Sequence, residues 1–538
     1  MAVDEMARSE NARAWRLTLV LVGVLTILRM AALFVTPLEL YPDEAQYWLW
    51  SRHLAFGYFS KPPVIAWLIW ATTHIGGDAA PWLRIGSPVL NAATALIISR
   101  IATRLYGRDP SGAWVGLAAA AVFALMPGIQ LSSVLITTDT PLLFFLALMI
   151  WACAALPQAS PRTRIWVAAG MGAALGMAFL SKYAAIYALA SLGAHLFLSR
   201  EARRAWTPAM AAAFFVTLFV VFAPNMIWNY QHHFSTLEHT AANANWKEGH
   251  LFNPGEMAGF VGSQFGVFGP VPFAVLAGGA ILMTVRRHLR PADVMLLCFA
   301  VPPLVTVAVQ AFVSRANANW AGAAYVAGSV LVAAWLLRWG ARRWLTAGLL
   351  LQTVLAALFL TWVSFPRTAD AMGMGNAFKR ARGWEQTVQA LVERSREEQA
   401  LRGGLTAVAV DDRFLFNVAA YYGRDYFGTP AAPPLRMWVH EIAPRNQAEA
   451  EAPLTPALGG RVLIGSLDGV YRGKIQQDFQ TTSDLQIVRV RLDRKRSRHT
   501  DLFIAQGFRP VPRDPRTGLP PDTPWRDPSP DGAGNTPR

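Results

Sequence analysis

Two acids and a lysine mark the stretch from Leu40 to Trp70. Asp43 and Glu44 come directly after Pro42, and Lys61 directly before Pro62 and Pro63. Proline suits the first turn of a helix, and acids there meet its positive end. A short helix therefore starts at Pro42. On it Asp43 lies over Gln46 and Tyr47, while Glu44 points elsewhere, so the two acids have different tasks. Capping is the plain reading of both. The paired prolines hold Lys61 on a stiffened, extended backbone, where its ammonium suits a phosphate. The same residue types recur at the edges of apolar runs. Asp139 stands in TTDTPLLFF, Lys182 in FLSKYAAIY, and Arg315, Asn317 and Asn319 in SRANANWAGAAYV. Cations that hold a departing phosphate, with a carboxylate that activates an attacking hydroxyl, are the equipment for displacing a phosphate leaving group. The segment WNYQHHFSTLEHT adds His232, His233, Glu238 and His239. These could hold a divalent ion; acceptor contacts or loop packing are the alternatives.

The elements that position these residues are apolar. Of 538 residues 53% are hydrophobic and only 15% charged, with a mean hydropathy of +0.28. Soluble chains carry about 25% charged residues, and the apolar residues here come in blocks long enough to cross a bilayer. The composition implies a polytopic α-helical membrane protein. The net charge of +15 does not point to nucleic acid, because the arginines sit in short clusters between apolar runs. Cys153 and Cys298 fall inside apolar runs and read as core residues, and there is no CxxC or HExxH.

About eleven spans are expected, at roughly 15–37, 84–104, 112–131, 138–156, 164–181, 183–199, 207–229, 256–284, 292–313, 319–337 and 344–365. Alternate loops hold Arg100, Arg104 and Arg108; Arg162 and Arg164; Arg200, Arg203 and Arg204; Arg286, Arg287 and Arg290; and Arg338, Arg342 and Arg343. The positive-inside rule places these loops and the N-terminus in the cytoplasm. The opposite loops, including 38–83 and 230–255, collect the unusual polar residues, Lys247 and Glu248 among them. Charges beside a bilayer are costly, and many at one face imply one site. Residues 1–365 are thus a membrane domain. Residues 366–510 read as an external α/β domain, with a helix in GWEQTVQALVER, buried strands in LTAVAVDD and RVLIGS, and a helix in DDRFLFNVAAYYGRD. The tail 511–538, rich in Pro, Gly and Asp, reads as disordered.

YPDEAQYWLWSRHLAFGYFSKPP resembles the first external loop of the GT-C membrane glycosyltransferases, especially the bacterial aminoarabinose lipid A transferases and the dolichyl-phosphate-mannose protein mannosyltransferase-like enzymes. TTDTPLLFF, LSKYAAIY, WNYQHHFSTLEHTAANANW and NANWAGAAYV fit the pattern in order, over roughly residues 15–365. The resemblance implies a GT-C fold with a C-terminal periplasmic domain in a bacterial inner membrane. It implies direct, inverting transfer of a sugar from a polyprenyl-phosphate donor to a glycolipid or glycan acceptor. Asp43 would be the base or its electrostatic equivalent, with Glu44 and Asp139 shaping the site. Lys61, Lys182 and Arg315 would bind the donor phosphate. Tyr47, Tyr58, His232, His233, His239, Asn317 and Asn319 would contact acceptor or sugar. Two positions depart from the pattern. Ser60 stands where the aminoarabinose transferases have a glutamate that can help hold a metal, and Gln46 stands where a base is expected, a loss that Arg315 or Arg29 could offset. A related enzyme acting on secreted protein, and a transporter or lipid flippase, are the competing readings. Polar groups gathered at one face, rather than at the midplane, favour an enzyme.

Overall fold

The computed structural model describes residues 2–109, 112–244, 246, 251–402, 404–514 and 517–520. Lys247, Glu248 and the tail beyond 520 lie outside the described residues. The chain divides into two compact units, Met1–Thr36 with Leu54–Ser364, and Pro37–His53 with Phe365–Arg538. The expected loop 38–83 is therefore shared between units.

In the first unit the apolar runs are helices, the form in which a segment satisfies its own backbone in lipid. Among the described residues seven are long and apolar enough to span a membrane: Ser9–Val35, Ala80–Tyr106, Asp139–Gln158, Pro161–Ser181, Pro208–Gln231, Pro291–Val313 and Arg342–Ser364. Shorter apolar helices cover Val64–Gly76, Gly112–Leu125, Tyr183–Leu198, Pro270–Val285 and Ala324–Arg338. The single span expected over 256–284 is two helices, Pro254–Val267 and Pro270–Val285. Gly269 adopts φ +102°, and Pro270 starts a new helix. Gln352 Nε2 donates to the Phe268 carbonyl freed at the break (2.8 Å).

Close packing follows from small residues. A Cβ on Gly172 would lie 2.0 Å from the Phe214 carbonyl oxygen, and one on Gly176 would lie 2.8 Å from Val221 Cβ. The two glycines, four residues apart, let helix 161–181 press on helix 208–231. Ala324–Arg338 is buried on every side from Ala324 to Leu336. At 15 residues it is too short to face lipid alone across a bilayer.

At the helix ends beside the basic loops, the fully buried carboxylate of Asp293 accepts from Tyr106 Oη (2.7 Å), Trp335 Nε1 (3.2 Å), Arg338 (2.7 and 3.1 Å) and the Arg290 amide (2.9 Å). An unpaired carboxylate here would cost several kcal/mol. These donors tie together three segments. At the opposite ends Asn91 donates to Ser133 (2.9 Å) and Ser87 to the Leu135 carbonyl (2.8 Å).

The second unit holds a five-stranded sheet: β1 Ala407–Val410, β2 Leu435–Met437, β3 Arg461–Leu467, β4 Phe479–Arg491 and β5 Ser497–Phe508, in the order β2-β1-β3-β5-β4. β1 runs parallel to β2 and β3, while β5 is antiparallel to both β3 and β4. β1 and β3 are the apolar runs read as buried strands. Helices Trp384–Arg402 and Arg413–Tyr422 occur where the sequence places them. Beyond the sheet the Val511 amide and Arg513 donate to buried Asp478 (2.8 and 2.9 Å), so the start of the expected disordered tail is anchored.

Asp411 ends β1. Its carboxyl accepts from the Ser466 hydroxyl and the Leu467 amide (2.9 Å), and burial pushes it up to about 7. The unfolded chain releases this proton near pH 4. Between these values the folded state binds more protons, so Asp411 lowers stability as pH rises from about 4 to about 7. Thermal unfolding in detergent at about pH 5 and about pH 8 will show wild type losing stability relative to Asp411→Asn, by about 1–3 kcal/mol. Parallel behaviour of the two proteins would refute this assignment.

Candidate active site

In the first unit three distant segments meet at Asp139. The residue opens helix Asp139–Ala155, where the helix dipole favours a carboxylate. Helix 161–181 ends as Lys182 turns extended (φ −164°, ψ 136°). Lys182 Nζ then reaches Asp139 Oδ1 at 2.6 Å, and Asn319 Nδ2 donates to Oδ2 at 2.9 Å. The ion-paired side chains are about one-fifth exposed (20% and 21%), so the pair is open at one side. Arg315 and Asn317 are exposed on the segment that carries Asn319.

The Lys61 loop is pinned by its neighbours. The Tyr58 amide donates to the Lys61 carbonyl (3.1 Å), and the Ala55 amide donates to Tyr58 Oη (3.1 Å). Thr236 Oγ1 donates to the Tyr58 carbonyl (2.6 Å), and Asn225 Nδ2 to the Phe56 carbonyl (2.6 Å). Tyr183 Oη donates to Asn225 Oδ1 (2.8 Å) and accepts from Asn229 Nδ2 (3.0 Å). A chain of hydrogen bonds thus runs from the residue beside Lys182 to the loop that carries Lys61. Tyr183, Asn225, Asn229 and Thr236 form the polar network that holds this loop, and the sequence reading missed them. The asparagines lie one helical turn apart inside an apolar run, and that spacing was the available signal.

The histidines are spread out. His232 stacks on Trp228 at 3.9 Å and contacts its carbonyl through Nδ1 (2.8 Å). His233 and Phe234 take positive φ in a tight reversal. His239 meets the ring of Phe59 edge-on at 6.3 Å. Among the described residues no three His, Cys, Asp or Glu side chains form a group that could hold a metal ion. Arg29 is buried inside the bundle, where it donates to the Ala124 carbonyl and to Gln130 Oε1 (3.0 Å).

In the second unit helix Pro42–Ser51 separates its two acids. Glu44 is 2% exposed, and its Oε2 accepts from the Tyr41 amide at 3.0 Å in a capping box. The Asp43 side chain is 49% exposed, with Arg413 Nη2 3.7 Å from its Oδ1. Arg413 Nη1 also donates to Gln46 Oε1 (3.4 Å). Tyr47 is buried against Trp50. Nothing local to the Asp43 segment announces Arg413, which comes from a helix far along the chain.

A bundle of membrane helices carrying acids and cations at its helix ends, with a C-terminal α/β domain, is the architecture of a membrane glycosyltransferase that uses lipid-linked sugars. Residues 60–228 match the dolichyl-phosphate-mannose-protein mannosyltransferase family. Lipid A galacturonosyltransferase RgtD of Rhizobium johnstonii is 34% identical over 424 residues, covering 78% of this chain and 86% of that protein. The crystal structure of ArnT from Cupriavidus metallidurans bound to undecaprenyl phosphate aligns with a TM-score of 0.61 at 15% identity, over 90% of this chain and 97% of that one. The apo form gives 0.60 at 14% identity, over 91% and 98%. The chain belongs to the GT-C glycosyltransferases of the ArnT and protein-mannosyltransferase type.

Asp139 and Lys182 act as one unit. Asp139→Asn and Lys182→Met will each lower sugar transfer by about tenfold or more, and the double variant will lose little beyond the worse single one. Losses that multiply would show independent roles.

Proposed function

We propose that this enzyme moves a sugar from polyprenyl phosphate to an envelope glycolipid, lipid A or lipopolysaccharide core, at the periplasmic face of the inner membrane. The observation that carries this reading is the 34% identity, over most of both chains, to a lipid A galacturonosyltransferase. The same relative supports a hexuronic acid as the sugar. Sidedness is read from the basic loops, which put the N-terminus in the cytoplasm and residues from 366 in the periplasm. A lipid-linked donor suits that face, where no nucleotide-sugar pool is expected.

The reaction is one displacement. The acceptor hydroxyl oxygen attacks the anomeric carbon of the donor, and the new C–O bond forms as the bond from that carbon to the phosphate oxygen breaks. The phosphate leaves with the bonding electrons as polyprenyl phosphate, and the hydroxyl proton passes to the Asp43 carboxylate. Configuration at the anomeric carbon inverts. Asp43 suits the base role because its carboxylate is exposed, whereas that of Glu44 is occupied in its cap. Lys182 and Lys61 supply charge for the donor phosphate. Asp139 and Asn319 set the position of Lys182, and the polar chain through Tyr183 and Asn225 sets that of the Lys61 loop. Arg315 adds charge for the donor phosphate, and Asn317 and the histidines of 232–239 are left for acceptor and sugar contacts.

Mass spectrometry of lipid A, core glycan and polyprenyl-phosphate sugars will compare strains carrying the intact gene, a deletion and Asp43→Asn. Both altered strains will lack one hexuronic acid on an envelope glycolipid and accumulate the lipid-linked sugar. Unchanged glycolipids with under-glycosylated secreted protein would replace the acceptor with protein. No change in any glycan would overturn the enzyme reading.

A further inference from the structure

We infer that Arg413 is a positioning residue for catalysis, which sets a charge beside the Asp43 carboxylate and aims it. This deepens the proposed function and rests on its reading of Asp43 as the base. The argument starts from how Arg413 is itself held. Buried Asp411 ends β1, and Asp412 caps the next helix by accepting from the Phe414 and Leu415 amides (2.7 and 3.2 Å). Arg413 is the first residue of that helix, so its backbone is set by the end of β1 and by the cap. Its stem passes the ring of Phe414, with the guanidinium 4.6 Å from the ring centroid.

The guanidinium meets the Pro42–Ser51 helix at two points one turn apart, Asp43 Oδ1 at 3.7 Å and Gln46 Oε1 at 3.4 Å. Two contacts from one rigid fork define an orientation as well as a charge. The two helices are joined elsewhere as well. Trp48 meets Tyr421 edge-on at 5.1 Å, and Tyr422 Oη accepts from the Leu40 amide (2.8 Å). The contact is therefore part of a packed interface, unlike a chance surface pair. Of the other ionisable groups on these two helices, Glu44 is engaged by the Tyr41 amide, and Asp412 by its cap. Arg52 packs on Ser51 and over Trp48. Arg413 is the cation these helices set beside Asp43.

A 3.7 Å separation is an ion-pair distance longer than a hydrogen bond, so the carboxylate keeps lone pairs open to a substrate hydroxyl. Both groups are partly exposed (36% and 49%), which makes the pair worth little for stability and leaves it accessible for chemistry.

The test uses the purified full chain with undecaprenyl-phosphate hexuronic acid as donor and lipid A as acceptor. Arg413→Ala will lower kcat by about tenfold or more, with KM for the donor unchanged within about twofold. Arg413→Lys will recover most of kcat. Arg413→Gln keeps a donor for Gln46 and removes only the charge, so it carries the same readings if Arg413→Ala fails to fold. Wild-type kcat in the neutral variants would overturn the proposal. So would a raised donor KM with unchanged kcat, which would make Arg413 a donor contact, or a lower Tm as the sole effect. If Asp43→Asn turns over normally, the base reading falls whatever Arg413 does. If Asp43→Asn is inactive and Arg413→Gln is indifferent, only the positioning role falls.

Discussion

A charge inside a bilayer protein has to find its partner within the protein, and this constraint orders the membrane unit. Asp293 takes two guanidinium contacts, a phenol, an indole and an amide at one set of helix ends. Arg29 is absorbed by a carbonyl and Gln130. At the opposite ends Asp139 takes Lys182 and Asn319 but stays partly open. The same electrostatic need gives a closed latch in one place and a reachable pair in the other. The closed cluster gives the Asp293 carboxylate five hydrogen bonds and suits structure. The open pair keeps its charges partly exposed.

Small residues and helix breaks complement the charges. Gly172 and Gly176 bring two helices to backbone contact, and Gly269 with Pro270 divides a long apolar run in two. In the second unit a five-stranded mixed sheet fixes the ends of its strands, and loop residues there inherit its rigidity. Asp411, Asp412 and Arg413 follow β1 in succession and serve three purposes: a buried anchor, a helix cap and a charge presented outward.

Much of this was legible in the sequence. Apolar runs and alternating arginine clusters marked the helices, because lipid tolerates few alternatives. β1, β3 and helix 413–422 were readable from run length and period. The division of Asp43 from Glu44 follows from adjacent residues lying about 100° apart on a helix. The break at Gly269 was missed because hydropathy averages over a window and does not register one φ angle. The pairing of Arg413 with Asp43 was invisible for another reason, since it depends on which distant helices pack. The Tyr183–Asn225–Asn229 network was hidden because three polar residues barely lower the hydropathy of their surroundings.

The Pro42–Ser51 helix is made early, yet it belongs to the unit completed by residues from Phe365 onward. During biosynthesis the acid-bearing segment emerges with the first span, while helix 413–422, against which it packs, follows only after every span has left the ribosome. A nascent chain that has inserted all its helices still lacks the settled geometry of Asp43. The order of synthesis thus leaves the Pro42–Ser51 helix without its packing partner until residues 413–422 have been made.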